Sequence, residues 1–373
     1  MIRIAAFLLL CAVCEVGAQV PEIKKAHPTT ASSSFATVSQ AADNARDAGR
    51  VDDAIKLYKE ALTIQPKWKD GLWSLSSLLY QQNQYPAARD SLRKLVGMNP
   101  ELGLGWAMLG MCEFELHDYS RALDHLQRAM AVGMGDQKDI AQSVFYYVAC
   151  LQTRFELFDD SMRLMIAMVK SGQDSKPLVE PLGLAALRLP FLPEEIPADR
   201  REMIRAAGEA TLALEAEKRD EAGKLFRGIA ESYPNEPGVH FLYGAFLLDE
   251  DPENGIKELR KELEVSPSNV SARLRLTEEY IKEQKQDLAL PLAEEAVRLD
   301  PKRAAAHMML GEVLVAKEDA VAGIHELETA REQSPQTVRV HWDLLRAYTG
   351  AGRSEDAKRE KEEIEKLSAP QNQ

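Results

Sequence analysis

Apolar and small side chains return along this chain in two short bursts separated by a polar turn. In a unit that starts at Gly103, Trp106, Leu109 and Gly110 stand at positions 4, 7 and 8, and Ala122, Leu126 and Ala129 at positions 20, 24 and 27. Steps of three and four residues put each set on one face of an α-helix. Between them Leu116-His117-Asp118-Tyr119 reads as a turn, so the unit is predicted to be helix–turn–helix. Gly or Ala at positions 8 and 20 has a steric reason: two helix backbones can approach closely where a branched side chain would hold them apart. Leucine in place of Gly110 is expected to cost about 1–3 kcal/mol by overpacking.

The unit recurs. Pro66 to Pro100, Pro267 to Pro301 and Pro301 to Pro335 are each 34 residues, and Pro234 to Pro267 is 33. Proline at position 32 ends the second helix, because it lacks an N–H and restricts the residue before it. The first unit carries Ala42, Ala45, Ala54, Tyr58 and Ala61 at the packing positions; the second has Leu72, Leu75, Ala88, Leu92 and Leu95. A fifth reads Ala210, Ala213, Ala222, Phe226 and Ile229, and a sixth Tyr243, Gly244 and Leu259 after a one-residue deletion in its turn. The seventh has Leu276, Tyr280, Ala289, Ala293 and Ala296, and the eighth Leu310, Gly311, Leu314, Leu327 and Ala330. Two units depart from the pattern. The fourth has about five extra residues before its second helix, with Ser161, Met165 and Met168 at the second-helix positions. The last keeps Leu344, Tyr348 and Ala357, then turns highly charged from Lys358 to Lys366, as the end of an array must to stop without leaving an apolar face in water.

This pattern resembles the tetratricopeptide repeat over residues 35–170 and 203–367. The resemblance implies an all-α fold, an α-solenoid of tandem helix–turn–helix repeats wound as a superhelix, with room for two arcs. Residues 171–202, which hold Pro177, Pro181, Pro190, Pro193 and Pro197 around an apolar helical piece near Leu182–Leu189, read as a connector between them. Residues 19–34 and 368–373 lack periodicity and read as a flexible leader and a disordered tail. At the front, Arg3, the apolar run Ile4–Val13 and Val16-Gly17-Ala18 fit an export signal over residues 1–18, with a mature start near Gln19. That predicts an exported protein, periplasmic or secreted. Leu10 before Cys11 and Val13 before Cys14 make a poor lipid-attachment signal, and no stable membrane insertion is expected once the signal is cleaved.

A net charge of −13 argues against a nucleic-acid partner, since a phosphate binder needs a basic stripe. Cys112 and Cys150 lie in helical patterns among apolar neighbours and are expected to be buried as free thiols. No catalytic constellation survives inspection. His325-Glu326 opens a zinc-protease motif, but Thr329 stands where its second histidine should be. Gly103, Gly105 and Gly110 lack dinucleotide-loop spacing, and neither a phosphate-binding loop nor a Gly-x-Ser-x-Gly elbow occurs. His240, His307 and His341 all fall at position 4, one repeat apart or more, so they read as packing residues that cannot converge on one metal. No enzyme activity, cofactor or metal is therefore predicted.

What remains is recognition. The resemblance implies that positions 2, 5, 9 and 12 of each first helix line a concave groove. Those positions carry Trp73, Tyr80, Met111, Phe114 and Tyr146, and later Phe241, Leu248, Leu274, Ile281, Met308, Val315 and Trp342. An exposed stripe so rich in aromatic and apolar side chains is the mark of a protein-binding patch. The family's cationic clamp for a carboxylate tail is absent, because Ser39, Asp43, Trp73 and Ser77 occupy its places. The expected function is a scaffold that binds a protein or peptide segment in its groove, in the bacterial envelope. Two alternatives differ in class: an accessory to an envelope enzyme or assembly with a site at 171–202, and a self-assembling structural protein using its convex faces. In the first, Glu194, Glu195 and Asp199 are the candidate groups.

Overall fold

The computed structural model describes residues 30–369, so the export signal at 1–18, most of the leader and the end of the tail lie outside it. The chain divides into two compact units, the first running to Gly208 and the second starting at Glu209. All regular structure among the described residues is helical.

In the first unit eight helices form four hairpins: α1 (Thr30–Asp47) with α2 (Val51–Ile64), α3 (Lys69–Gln81) with α4 (Tyr85–Met98), α5 (Gly103–Glu115) with α6 (Tyr119–Val132), and α7 (Lys138–Arg154) with α8 (Phe158–Lys170). Each second helix also packs on the first helix of the next hairpin. The buried positions are those of the repeat: Ala54, Tyr58, Leu79, Ala88, Leu92, Leu109, Ala122 and Leu126 are all at or below 1% exposure. A Cβ on Gly110 would lie 2.6 Å from Cγ of Leu126, so the expected close approach is real. The extra residues of the fourth hairpin lengthen the front of its first helix, making α7 17 residues against 13 for α5. Its Ser161 sits at the close-approach position with its hydroxyl satisfied, donating to the carbonyl of Ala149 at 2.7 Å.

The proline-rich stretch is packed. After a short 3-10 turn at Lys176–Leu178, α9 (Val179–Ala186) lies against α7 and α8, and Leu178, Leu182, Leu184, Leu187 and Leu192 are buried. Then α10 (Arg201–Glu215) begins; its residues up to Gly208 close the first unit.

In the second unit α11 (Arg219–Ser232) packs on α12 (Val239–Leu247), which pairs with α13 (Pro252–Val265). Three hairpins follow: α14 (Val270–Lys282) with α15 (Gln286–Leu299), α16 (Ala304–Ala316) with α17 (Ala320–Gln333), and α18 (Val338–Gly350) with α19 (Ser354–Ser368). The sixth repeat does not lose its residue from the turn as expected: α12 is the short element, with 9 residues against 13 in α14, and residues 248–251 make the turn, which Asp251 closes by accepting from the N–H of Asn254 at 3.2 Å. On α19 only Ala357, Glu360 and Ile364 are buried, and the charged remainder faces solvent.

One feature of the turns has no counterpart in side-chain chemistry. Position 15 is left-handed in almost every hairpin: Gly49, Asn83, His117, Glu156, Glu217, Gln284, Glu318 and Gly352 all have φ between 57° and 71°. The bonds around it close the first helix in a Schellman pattern, Gln84 N–H to Leu79 C=O and Asn83 N–H to Tyr80 C=O. Residue type is secondary here; the interhelix turn dictates the backbone.

Candidate partner-binding face

Helical spacing brings the expected stripe together on the first helices, and the packing then sorts its members. Met111, Phe241 and Met308 are buried at 8%, 5% and 9% exposure, so they belong chiefly to the core. Trp73, Tyr80, Phe114, Tyr146 and Leu274 are half-buried. Trp342 is exposed at 50%, the open end of the range.

In the first unit the half-buried aromatics touch across repeats. Phe114 on α5 lies 4.7 Å from Tyr147 on α7, and Tyr147 lies 5.9 Å from Tyr146. Tyr80 meets Tyr85 edge-on at 5.3 Å. Burial pushes the phenols of Tyr80, Tyr146 and Tyr147 upward, and nearby acidic charge from Glu115 or Glu194 adds to it, so these rings act as neutral apolar surface with a hydroxyl tip. Asp43, one of the absent clamp's positions, is engaged internally: it accepts from the Tyr58 hydroxyl at 2.6 Å, and Arg46 donates to that hydroxyl at 3.0 Å.

The second unit offers a charged stripe instead. Glu278 on α14 and Glu312 on α16 both occupy position 9, and Arg339 at the start of α18 reaches them at 3.5 and 3.0 Å. Asp343, one turn further along α18, is buried at 4% exposure. Burial, followed by the facing Asp343 carboxyl, pushes Glu312 up to about 8 against the pull of Arg339.

The position-4 histidines have a role that spacing alone does not reveal. His240, His307 and His341 each hold the carbonyl of the preceding repeat's last proline, Pro234, Pro301 or Pro335, at 2.9 Å from Nε2. The carbonyl can only accept, so Nε2 carries the hydrogen. Each Nδ1 sits 2.6 Å from a carboxylate on the repeat's own second helix, Glu258, Glu326 or Glu360. Trp106 makes the same bond in the first unit, donating Nε1–H to Pro100 C=O at 2.7 Å. One ring thus ties a hairpin to the exit of its predecessor. The signal was a ring nitrogen six residues after the proline.

Other candidate chemistry is accounted for by structure. Cys112 and Cys150 are free and buried, with thiols pushed up to about 12 chiefly by desolvation, so neither is a ready nucleophile. His325 lies exposed on α17 with Thr329 bonded to its carbonyl at 3.0 Å, and Glu326 is committed to His307. In 171–202, Glu195 caps the turn after Leu192 at 2.9 Å and pairs with Arg154 at 3.5 Å. Glu194 and Asp199 are exposed. Among the described residues no group of three His, Cys, Asp or Glu side chains is placed to hold a metal ion, and no helix is long and apolar enough to cross a membrane.

Helical hairpins closed by one turn geometry and, within each unit, packed second helix against the next first helix define a helical repeat protein. A sequence profile of the tetratricopeptide repeat matches residues 40–102, 74–136 and 278–327, which span α1–α6 and α14–α17. The chain carries tetratricopeptide repeats over residues 40–136 and 278–327. It is 25% identical over 126 residues to the general transcriptional corepressor trfA of Dictyostelium discoideum, a match covering 34% of this chain and only 9% of that protein. Among solved structures, MamA from Desulfovibrio magneticus RS-1 (residues 41 to the end) is similar at 23% identity and a TM-score of 0.39, over 44% of this chain and 93% of that one. YrrB, described as a TPR protein with an unusual peptide-binding site, is similar at 15% identity and a TM-score of 0.38, over 46% and 91%. Likeness at this level says nothing about a shared ligand.

Proposed function

We propose that this protein is an interaction scaffold that binds a segment of a partner protein along the first-helix stripe, and that it does so outside the cytoplasm. The observation that carries the reading is the stripe itself: Trp342 stays half exposed, and Trp73, Tyr80, Phe114 and Tyr146 present ring surface that packing only partly covers. Aromatic side chains fixed by neighbouring helices lose little freedom on binding and commonly supply most of an interface's energy. Repeats that carry the tetratricopeptide pattern support a protein or peptide as the ligand. The export part rests on the pattern of residues 1–18 alone, and a mass measurement of the mature protein starting near Gln19 checks it.

The test places a photo-crosslinking residue at Tyr80 and at Trp342 in the full chain, identifies the captured partner, and measures its affinity directly. Phe114→Ala or Trp342→Ala is expected to weaken binding by ~2 kcal/mol or more where the ring is a central anchor, with thermal stability retained. Unchanged affinity for Trp73, Tyr80, Phe114 and Trp342 variants alike would overturn the reading.

A further inference from the structure

The three bridging histidines bond through both ring nitrogens, and a neutral imidazole has only one hydrogen to give. The proline carbonyl takes it at Nε2. Yet Nδ1 also stands 2.6 Å from a carboxylate in every case, Glu258 for His240, Glu326 for His307 and Glu360 for His341. Two lone pairs at that distance repel, so a second proton lies between them. Imidazole is a stronger base than a carboxylate by about two pH units, which puts that proton on Nδ1. The ring then has a donor for each acceptor, and its contact with the carboxylate is a short charge-assisted bond.

The other charged groups around the rings have partners of their own. Glu326 is paired to His307; on α15 Glu295 and Arg298 pair with each other, and Arg339 of α18 turns to Glu312 and Glu278. Glu258 also holds Lys261, and Glu262 on the same helix is taken up by the N–H groups of Gly238 and Phe241. From α11, Arg219 and Arg227 reach Glu250 and Tyr243. Glu360 gives its second oxygen to Arg331 of α17, and Glu363 of α19 pairs with Lys366. A second cation at Glu258 and Glu360 weakens their hold on the rings, which leaves His307 as the plainest case.

We propose that His240, His307 and His341 stand as imidazolium rings in the folded chain and make the hairpin-to-hairpin ties of the second unit a pH switch. When a ring loses one proton, the remaining hydrogen stays with the stronger acceptor, the carboxylate, and Nε2 turns a bare lone pair on the proline carbonyl. The tie within the hairpin survives, and the tie to the preceding hairpin fails. Unfolded histidines give up this proton near about pH 6.5. A folded ring that keeps it longer adds stability that is full below that pH and is lost as the ring lets go, so the second unit weakens with rising pH. Trp106 makes the same tie in the first unit through an indole N–H that does not titrate. The switch belongs to the stack itself and stands apart from what the stripe binds.

The test labels the histidine ring nitrogens of the full chain with 15N and follows them by NMR from pH 6 to 9, with His240→Gln, His307→Gln and His341→Gln samples for assignment. At about pH 7.5 the His307 ring should carry hydrogen on both nitrogens, whereas N-acetyl-histidine amide in the same buffer carries one. Glu326→Gln offers an amide that bonds to a neutral ring, so there His307 should lose its second hydrogen close to where the reference compound does. Urea unfolding read at the indole resonance of Trp342, the one tryptophan of the second unit, gives an independent measure. With rising pH the wild-type unfolding constant should grow by up to about tenfold per pH unit for each ring that lets go, and Glu326→Gln should remove the share of one ring. A bare nitrogen on His307 at about pH 7.5 in the folded wild type, or a Glu326→Gln profile parallel to wild type, overturns the proposal.

Discussion

A very close helix–helix approach in the first unit lies between α9 and α10, where two glycines let backbone touch backbone. A Cβ on Gly183 would stand 1.8 Å from the carbonyl oxygen of Ile204, and one on Gly208 would stand 1.9 Å from that of Val179. Ordinary carbon–oxygen contact needs about 3.3 Å, so Gly183→Ala must push the helices about 1.5 Å apart. No rotamer change relieves it, because both obstacles are main chain. Separation also unpacks Leu182 and Leu184, which are otherwise fully buried. Overpacking of this kind costs about 1–3 kcal/mol, and the gap opened around the leucines adds to it, so a loss of about 2–4 kcal/mol is expected. Gly97→Ala in α4 is the control: nothing lies within 4 Å of its Cβ position, and removing a helical glycine there should gain about 0.5–1 kcal/mol. Trp68, Trp73 and Trp106 all belong to the first unit, so urea unfolding followed by tryptophan fluorescence reports mainly on it. Gly183→Ala should lower the midpoint by about 1 M or more. The double variant with Gly208→Ala should cost less than the sum, because one separation serves both methyl groups. A Gly183→Ala midpoint that matches wild type, or that moves in the same direction as Gly97→Ala, refutes the reasoning.

Three further outcomes follow from the same geometry. The Glu312 carboxyl is raised in the folded chain, from its ordinary 4.5 to about 8, so across that window the folded state keeps a proton the unfolded state has released. Its contribution is therefore full below about pH 4.5 and lost as pH climbs to about 8; Glu312→Gln should flatten that part of a plot of urea midpoint against pH. His341→Leu leaves the Pro335 carbonyl without its ring donor and the buried Glu360 with Arg331 alone, and should cost about 1–3 kcal/mol in denaturant melts. Glu318→Gly relieves a left-handed residue at φ 67° on the surface and should raise stability by about 0.5–1 kcal/mol, read as a higher melting temperature.

The hairpins were legible in the sequence because steric need leaves a residue-type trace: only small side chains fit at Gly110 or Ala122, and proline recurs where the second helix must stop. The left-handed position 15 was not legible, since Asn83, His117, Glu156 and Gln284 share no chemistry that announces it. The proline-rich stretch reads as a connector with a short apolar helix near Leu182–Leu189; the burial of its leucines and the Gly183–Gly208 contact depend on a partner helix that spacing cannot supply. For the candidate face, period gave direction but not cover. Phe114 and Met111 lie on one stripe, yet one keeps part of its ring open while the other is closed off by its neighbours. Glu312 and Asp343 went unnoticed because each looks like an ordinary helix-surface acid until two helices bring them face to face.

The ring that bridges successive hairpins also bears on how the molecule comes into being. Its two partners are near in the chain, a carbonyl six residues earlier and a carboxylate 19 residues later for His307 and His341. Such short closures cost little chain entropy. Each junction can therefore be made as soon as its own stretch has emerged, and the molecule can grow by accretion, with no wait for a distant strand to return.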